Sequence, residues 1–221
     1  MKHRGPSKKN DDNKSPEIPE NNGSMPVTRN TLRPIQARAQ RAQAPGLPGA
    51  LAAVPAEVRQ AFDQSHRTLN DLHVPHVLVG GIAVGAHGYP YATQDVDYLV
   101  PEDAAFEGTV VITFRPGIPI RVGEVAIDYL VPGGPEVVQR RMQECLDLAS
   151  KFPGEVVVVP PDLLTFMKLR AGRAKDVAAV VELLKVGMDA EDIRDFLKEA
   201  GDAEVLKRFE RCIKKMEEEE E

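Results

Sequence analysis

The sequence predicts an α+β fold: a small mixed β-sheet flanked by helices, a helical C-terminal portion behind it, and a disordered N-terminal tail in front. Three observations carry this expectation. Short apolar runs at 76–79, 95–100, 109–114, 125–131 and 155–159 are punctuated by Gly and Pro, as strands are. From Asp162 to residue 216 the apolar groups recur at helical spacing instead. The first fifty residues hold Lys, Asn, Ser, Pro, Gln and Arg stretches, with too few large apolar groups to offset the entropy of ordering.

Each element has its own local reason. Over 56–72, Val58, Ala61, Phe62, Leu69 and Leu72 share one helix face. Residues 76–79 form a short strand that Gly80 and Gly81 end, and the small-residue segment 82–87 gives one or two helical turns. Gly88-Tyr-Pro-Tyr reads as a loop, and 95–100 as the second strand. Gly123-Glu124, set between β-like segments, marks a hairpin leading into the strand at 125–131. Val137, Val138, Met142 and Leu146 place a helix over 135–150, with Pro135 suited to its first turn. After the strand at 155–159, Asp162 reads as an N-cap, and helices follow over 163–171, 174–185, 190–200 and 203–216. The expected organisation is a disordered basic tail over 1–52, an α/β core over 53–160, a helical portion over 161–216 and an acidic tail over 217–221 that frays from the last helix.

Charge divides the chain. Residues 1–50 carry 9 Lys and Arg against 4 Asp and Glu, and the remainder 19 against 30, so a basic arm precedes an acidic domain. An acidic domain is a poor electrostatic match for a long polyphosphate backbone. The arm reads as a solubilising segment, with nucleic acid or an acidic partner as its other use. No run of 18 apolar residues exists, and no apolar stretch follows the positive N-terminus, so neither a membrane span nor a signal peptide is expected. Cys145 and Cys212, 67 positions apart, read as reduced intracellular thiols and the protein as cytoplasmic.

The unusual feature is Asp95-Val-Asp-Tyr-Leu-Val. Side chains alternate across a strand, so Asp95 and Asp97 share a face with Leu99, while Val96 and Tyr98 take the other. The same parity puts Asp128 on one face of the strand at 125–131. If the two strands are neighbours, three carboxylates converge, and like charges packed together need a cation between them. Hard oxygen ligands suit Mg²⁺ or Mn²⁺. His76 and His87 stand apart from any second ligand and read as packed or loop-bonding residues. Tyr89 and Tyr91 sit between the glycines and the aspartates, where they stack a base or pack the loop.

Val79-Gly-Gly-Ile-Ala-Val, His87-Gly88, Thr93, Asp95-Val-Asp-Tyr-Leu-Val and Leu164-Thr-Phe-Met-Lys-Leu-Arg-Ala-Gly-Arg-Ala-Lys-Asp together resemble the DNA polymerase beta-like (minimal) nucleotidyltransferase superfamily. Within it, they are similar to small bacterial proteins, some of them toxins of toxin-antitoxin pairs. The resemblance covers about 74–184 and implies a sheet of nucleotidyltransferase type. It also implies transfer of a nucleoside monophosphate from a nucleoside triphosphate to an acceptor hydroxyl, with release of pyrophosphate. On that resemblance Gly80 and Gly81 approach the triphosphate, and Asp95, Asp97 and Asp128 are the catalytic metal ligands for Mg²⁺ or Mn²⁺. Lys168, Arg173, Lys175 and Asp176 bind or position the nucleotide. Lys168, Lys175 and Asp176 lie near one face if a helix runs through Gly172, so Asp176 pairs with one of the two lysines. Arg170 and Arg173 otherwise read as a solvated basic face. The implied partners are a nucleoside triphosphate, an acceptor that is an RNA 3′ end, a protein hydroxyl or a small molecule, and an antitoxin protein if the chain is a toxin. No membrane partner is implied.

Three positions depart from the family pattern. Ile82 stands where many members have Ser or Thr, Tyr91 where related small proteins often have Arg, and Ala179 where they have a further Asp. These support the alternative of a non-catalytic nucleotide-binding or interaction protein on the same scaffold. A haloacid-dehalogenase-type phosphatase or a glycosyltransferase also uses Asp-x-Asp. The phosphatase version wants a turn after the aspartates, whereas Tyr98-Leu99-Val100 continues the strand.

Overall fold

The computed structural model describes residues 46–107, 112–114 and 116–220. The disorder expected over 1–45, positions 109–111 of one expected strand, and residue 221 lie outside the described residues. The fold is α+β, with a five-stranded mixed sheet and a helical C-terminal portion.

The chain enters through α1 (Leu47–Ala53) and α2 (Ala56–Asp71). Then come β1 (Val77–Leu78), α3 (Gly80–Ala86) and β2 (Asp95–Leu99). A 3₁₀ turn leads to β3 (Ala105–Glu107) and β4 (Ile112–Phe114), an antiparallel pair apart from the main sheet. Next are β5 (Arg121–Val122), β6 (Val125–Leu130), α4 (Glu136–Lys151) and β7 (Val157–Val158). Helices α5 (Pro161–Ala171), α6 (Ala174–Lys185), α7 (Ala190–Ala200) and α8 (Ala203–Glu220) complete the chain. Among the described residues no helix is long and apolar enough to cross a membrane.

Strand order in the main sheet is β5-β6-β2-β1-β7. β2 runs parallel to β6 and antiparallel to β1, and β1 runs parallel to β7. The expected period-2 alternation is what buries one face: Val96, Tyr98 and Ile127 are inside, against α2. There the Tyr98 hydroxyl bonds Ser65 Oγ at 3.1 Å, so the phenol buried in the core keeps a polar partner. α5 is apolar around its circumference, with Leu163, Leu164, Phe166 and Leu169 all buried. It accordingly sits centrally, touching α3, α4, α6, α7 and α8.

Several expectations need correction. The tail expected through residue 52 gives way earlier, because Leu47–Ala53 is helical and Ala50 is buried against α3. Gly85 makes this possible: a Cβ there would lie 2.9 Å from Ala50 Cβ, so only a bare backbone lets α1 come so close. The acidic run does not fray at 217, since α8 continues to Glu220 and Glu219 meets Lys185 at 2.5 Å. Lys214–Glu218 and Lys215–Glu219 pairs one turn apart offset the like-charge repulsion. Asp162 is not the N-cap of α5; Pro160 is, and Asp162 instead accepts Arg141 at 2.7 Å. Finally, no helix runs through Gly172, whose φ of +66° ends α5 in a left-handed cap.

A histidine pair closes the far side of the sheet. His76 Nδ1 lies 2.8 Å from Val74 O and must donate to it, so its Nε2 accepts from His66 Nδ1 at 2.7 Å. His66 Nε2 is then an acceptor, met by Asn70 Nδ2 at 3.2 Å. Both rings are neutral in this arrangement, and protonating His76 at Nε2 sets its N–H against the His66 Nδ1–H. Burial lowers His76 to about 4, with the Val74 carbonyl raising it and His66 lowering it; burial also lowers His66, against the opposing pull of Gly154 and Asp63. A histidine pKa depressed by folding contributes stability that is complete above about 6.5 and lost as pH falls toward 4. In urea titrations, the stability difference between wild type and His76→Phe should shrink by on the order of 2 kcal/mol across that window. A difference independent of pH would refute the pairing, since Phe keeps the edge-on contact with Tyr98 but cannot titrate.

Candidate metal centre

β2 and β6 bring the aspartates together. Their parallel register sets Asp97 opposite Asp128 and Asp95 opposite Ala126, so all three carboxylates project from the face opposite Tyr98. One oxygen from each lies within 4.8 Å of the others. Asp95 and Asp97 are half-buried and Asp128 is exposed. The convergence expected from strand parity is therefore present.

Their electrostatics carry the cost of that proximity. Burial, then the charges of Asp95 and Asp128, push the Asp97 carboxyl from 3.8 up to about 6, while Lys168 and the Gly81 N–H pull the other way. Asp95 accepts a short hydrogen bond from Thr93 Oγ1, a residue exposed over only 7 % of its surface. The donor set fits a small hard cation: three carboxylates, no sulfur or imidazole, and a charge excess that one divalent ion largely offsets. Oxygens bound at about 2.1 Å to such an ion lie about 3–4 Å apart, within reach of small side-chain rotations.

The basic residues divide into two groups. Lys168 is buried, and its Nζ bonds Asp176 Oδ1 at 3.0 Å and lies 5.1 Å from the Tyr91 ring centroid. Arg173 bonds Asp176 Oδ2 at 2.5 Å while 61 % of its side chain remains exposed. Burial alone would raise Asp176; the Arg173 and Lys168 hydrogen bonds outweigh it and hold the carboxyl below its usual range. Asp176 thus pairs with Lys168 and Arg173. Lys175, expected to share their face, is exposed, because the break at Gly172 resets the helix phase between Lys168 and the residues of α6.

Gly80 and Gly81 open α3 beside the triad, and the Gly81 N–H favours the ionised form of the Asp97 carboxyl. Ile82 and Ala179, the positions where the family pattern has polar groups, are buried in the core. His87 Nε2 bonds Val159 O at 2.7 Å and His76 bonds Val74 O, so both satisfy backbone carbonyls. Tyr89 and Tyr91 meet edge to face at 6.4 Å. Thr93 stands in the motif without an assigned role; its place two residues before Asp95 is the signal, since a hydroxyl there reaches a neighbouring carboxylate locally. The Arg141–Asp162 pair carried no such signal, its partners being far apart in the chain.

No family model matches this chain, and no curated protein matches it.

Proposed function

We propose that this chain is a metal-dependent nucleotidyltransferase that moves a nucleoside monophosphate from a nucleoside triphosphate to an acceptor hydroxyl. One observation carries the reading: carboxylates from two adjacent parallel strands meet within 4.8 Å beside the glycine pair that opens α3. In it, Asp95, Asp97 and Asp128 hold Mg²⁺ or Mn²⁺. The bound ion supplies positive charge at the phosphate oxygens. Asp128, the exposed member, accepts the proton as the acceptor oxygen bonds to the α-phosphorus and the bond from that phosphorus to the pyrophosphate oxygen breaks. Arg173, with its guanidinium largely in solvent, and Lys168 offer cationic groups to the phosphates. An acidic domain favours a small-molecule or protein hydroxyl over a long RNA, and a role as the toxin of a toxin-antitoxin pair belongs to the same proposal.

A second reading, nucleotide binding without transfer, is favoured by the engagement of Lys168. Lys168 is already committed to Asp176 under Tyr91, and Ile82 brings no hydroxyl. The test separates the two. Purified protein with Mg²⁺ and each of the four labelled ribonucleoside triphosphates should release pyrophosphate and label an acceptor, and EDTA should abolish both. Saturable binding without pyrophosphate release supports the second reading, and absence of binding removes both.

A further inference from the structure

Resemblance assigns Gly80 and Gly81 to the triphosphate, but their surroundings point inward. A Cβ on Gly80 would overlap the Asp97 carboxylate, and the φ of +66° there strains any L side chain. A Cβ on Gly81 would lie 2.6 Å from Thr93 Cβ and Oγ1 and 3.1 Å from Tyr91 Cδ1, closer than carbon atoms pack. Thr93 is buried in that space, and its hydroxyl donates to Asp95 Oδ1. Asp95 is thus fixed by a hydroxyl whose place depends on the bare Gly81, and Asp97 occupies the space that the bare Gly80 leaves.

We infer that Gly80, Gly81 and Thr93 are positioning residues for the carboxylates, setting metal affinity before any nucleotide arrives, an inference that rests on the metal reading above. Thr93 holds the Asp95 rotamer through Oδ1. Gly81 keeps the space in which Thr93 does this, and Gly80 leaves room for Asp97 itself. A turn that served only phosphate would leave metal binding unchanged when altered in the absence of nucleotide.

The test is Mn²⁺ binding to the nucleotide-free full chain, followed by loss of the free-ion electron paramagnetic resonance signal and by calorimetry. Thr93→Val keeps the buried shape and removes the hydroxyl; it should weaken Mn²⁺ about 10–100-fold, as loss of a ligand's hydrogen-bond partner does. Thr93→Ser restores the donor and should bind within about threefold of wild type, a rescue that packing alone would not give. Gly81→Ala should weaken Mn²⁺ comparably to Thr93→Val where it folds, and the Thr93 pair decides the matter where it does not. Equal affinity of Thr93→Val and wild type overturns the inference while leaving the metal centre standing, as does a Thr93→Ser as weak as Thr93→Val. A wild type that does not bind Mn²⁺ overturns both.

Discussion

Asp97→Asn is expected to melt higher than wild type in EDTA and to have lost metal-dependent transfer. The asparagine fills the same space under Gly80 and removes the charge that burial, Asp95 and Asp128 make costly. A carboxyl raised from 3.8 to about 6 binds its proton more readily folded than unfolded. Its ionisation therefore erodes stability as pH rises from about 4 to 6, and the full cost remains above that window. The difference converts to about 3 kcal/mol as an upper figure, so a gain of about 1–3 kcal/mol at pH 7.5 is expected, or several degrees in Tm. Saturating Mg²⁺ should raise the wild-type Tm toward or beyond that of the variant, whose own Tm should barely respond. Transfer should drop by about 10³-fold or more, the scale of several kcal/mol of charge stabilisation at the reacting phosphate. Scanning calorimetry with and without Mg²⁺ checks the stability half. A variant that melts with or below wild type in EDTA would mean that the three carboxylates do not repel one another in the folded chain.

This combination, a more stable and less active variant, is what separates a working acidic cluster from a decorative one. Residues kept for folding lower stability when removed, whereas a group held against its own electrostatics raises it. The same titration logic runs oppositely at the His66–His76 pair, where stability falls as pH drops. Wild-type stability between pH 4 and 6.5 therefore contains two opposing contributions, and only the differences from His76→Phe and Asp97→Asn isolate them.

Legibility in the sequence followed range. Strand parity decided that Asp95 and Asp97 share a face, and the same rule applied to residues 125–130 aligned Asp128 with them once β2 and β6 paired. Parity is a property of the backbone alone, and nothing tertiary overrides it. The break at Gly172 was visible as a residue type, yet whether it continued or ended the helix depended on a left-handed φ that only the packed chain fixes. Composition misjudged 47–52 because small residues look unable to build a core. They do so here by approaching other small residues on α3, a pairing that no single-segment average contains. The α8 extension failed for a related reason: five glutamates repel in isolation, but Lys185 reaches them from α6.

Asp176→Ala should be the most destabilising single change in the basic cluster. Asp176 is fully buried and Lys168 keeps only 8 % of its side chain exposed, so removing the carboxylate strands an ammonium in a low-dielectric site. Breaking a buried pair in this way costs about 3–5 kcal/mol, which for a folded region of this size lowers Tm by roughly 10 °C or more. Lys168→Met should cost less, because Arg173 still reaches both Asp176 oxygens and the methionine fills the volume beside Tyr91. The double variant Lys168→Met/Asp176→Leu should be more stable than Asp176→Ala, since no buried charge remains unpaired. Arg173→Ala, which removes a largely solvent-exposed partner, should change Tm least and reveal its effect in triphosphate affinity. Chemical denaturation of the four variants orders them. If Asp176→Ala and Arg173→Ala were equally mild, Lys168 would have to find solvent through a relaxed Tyr91 loop, and Asp176 would no longer be what holds the lysine in place.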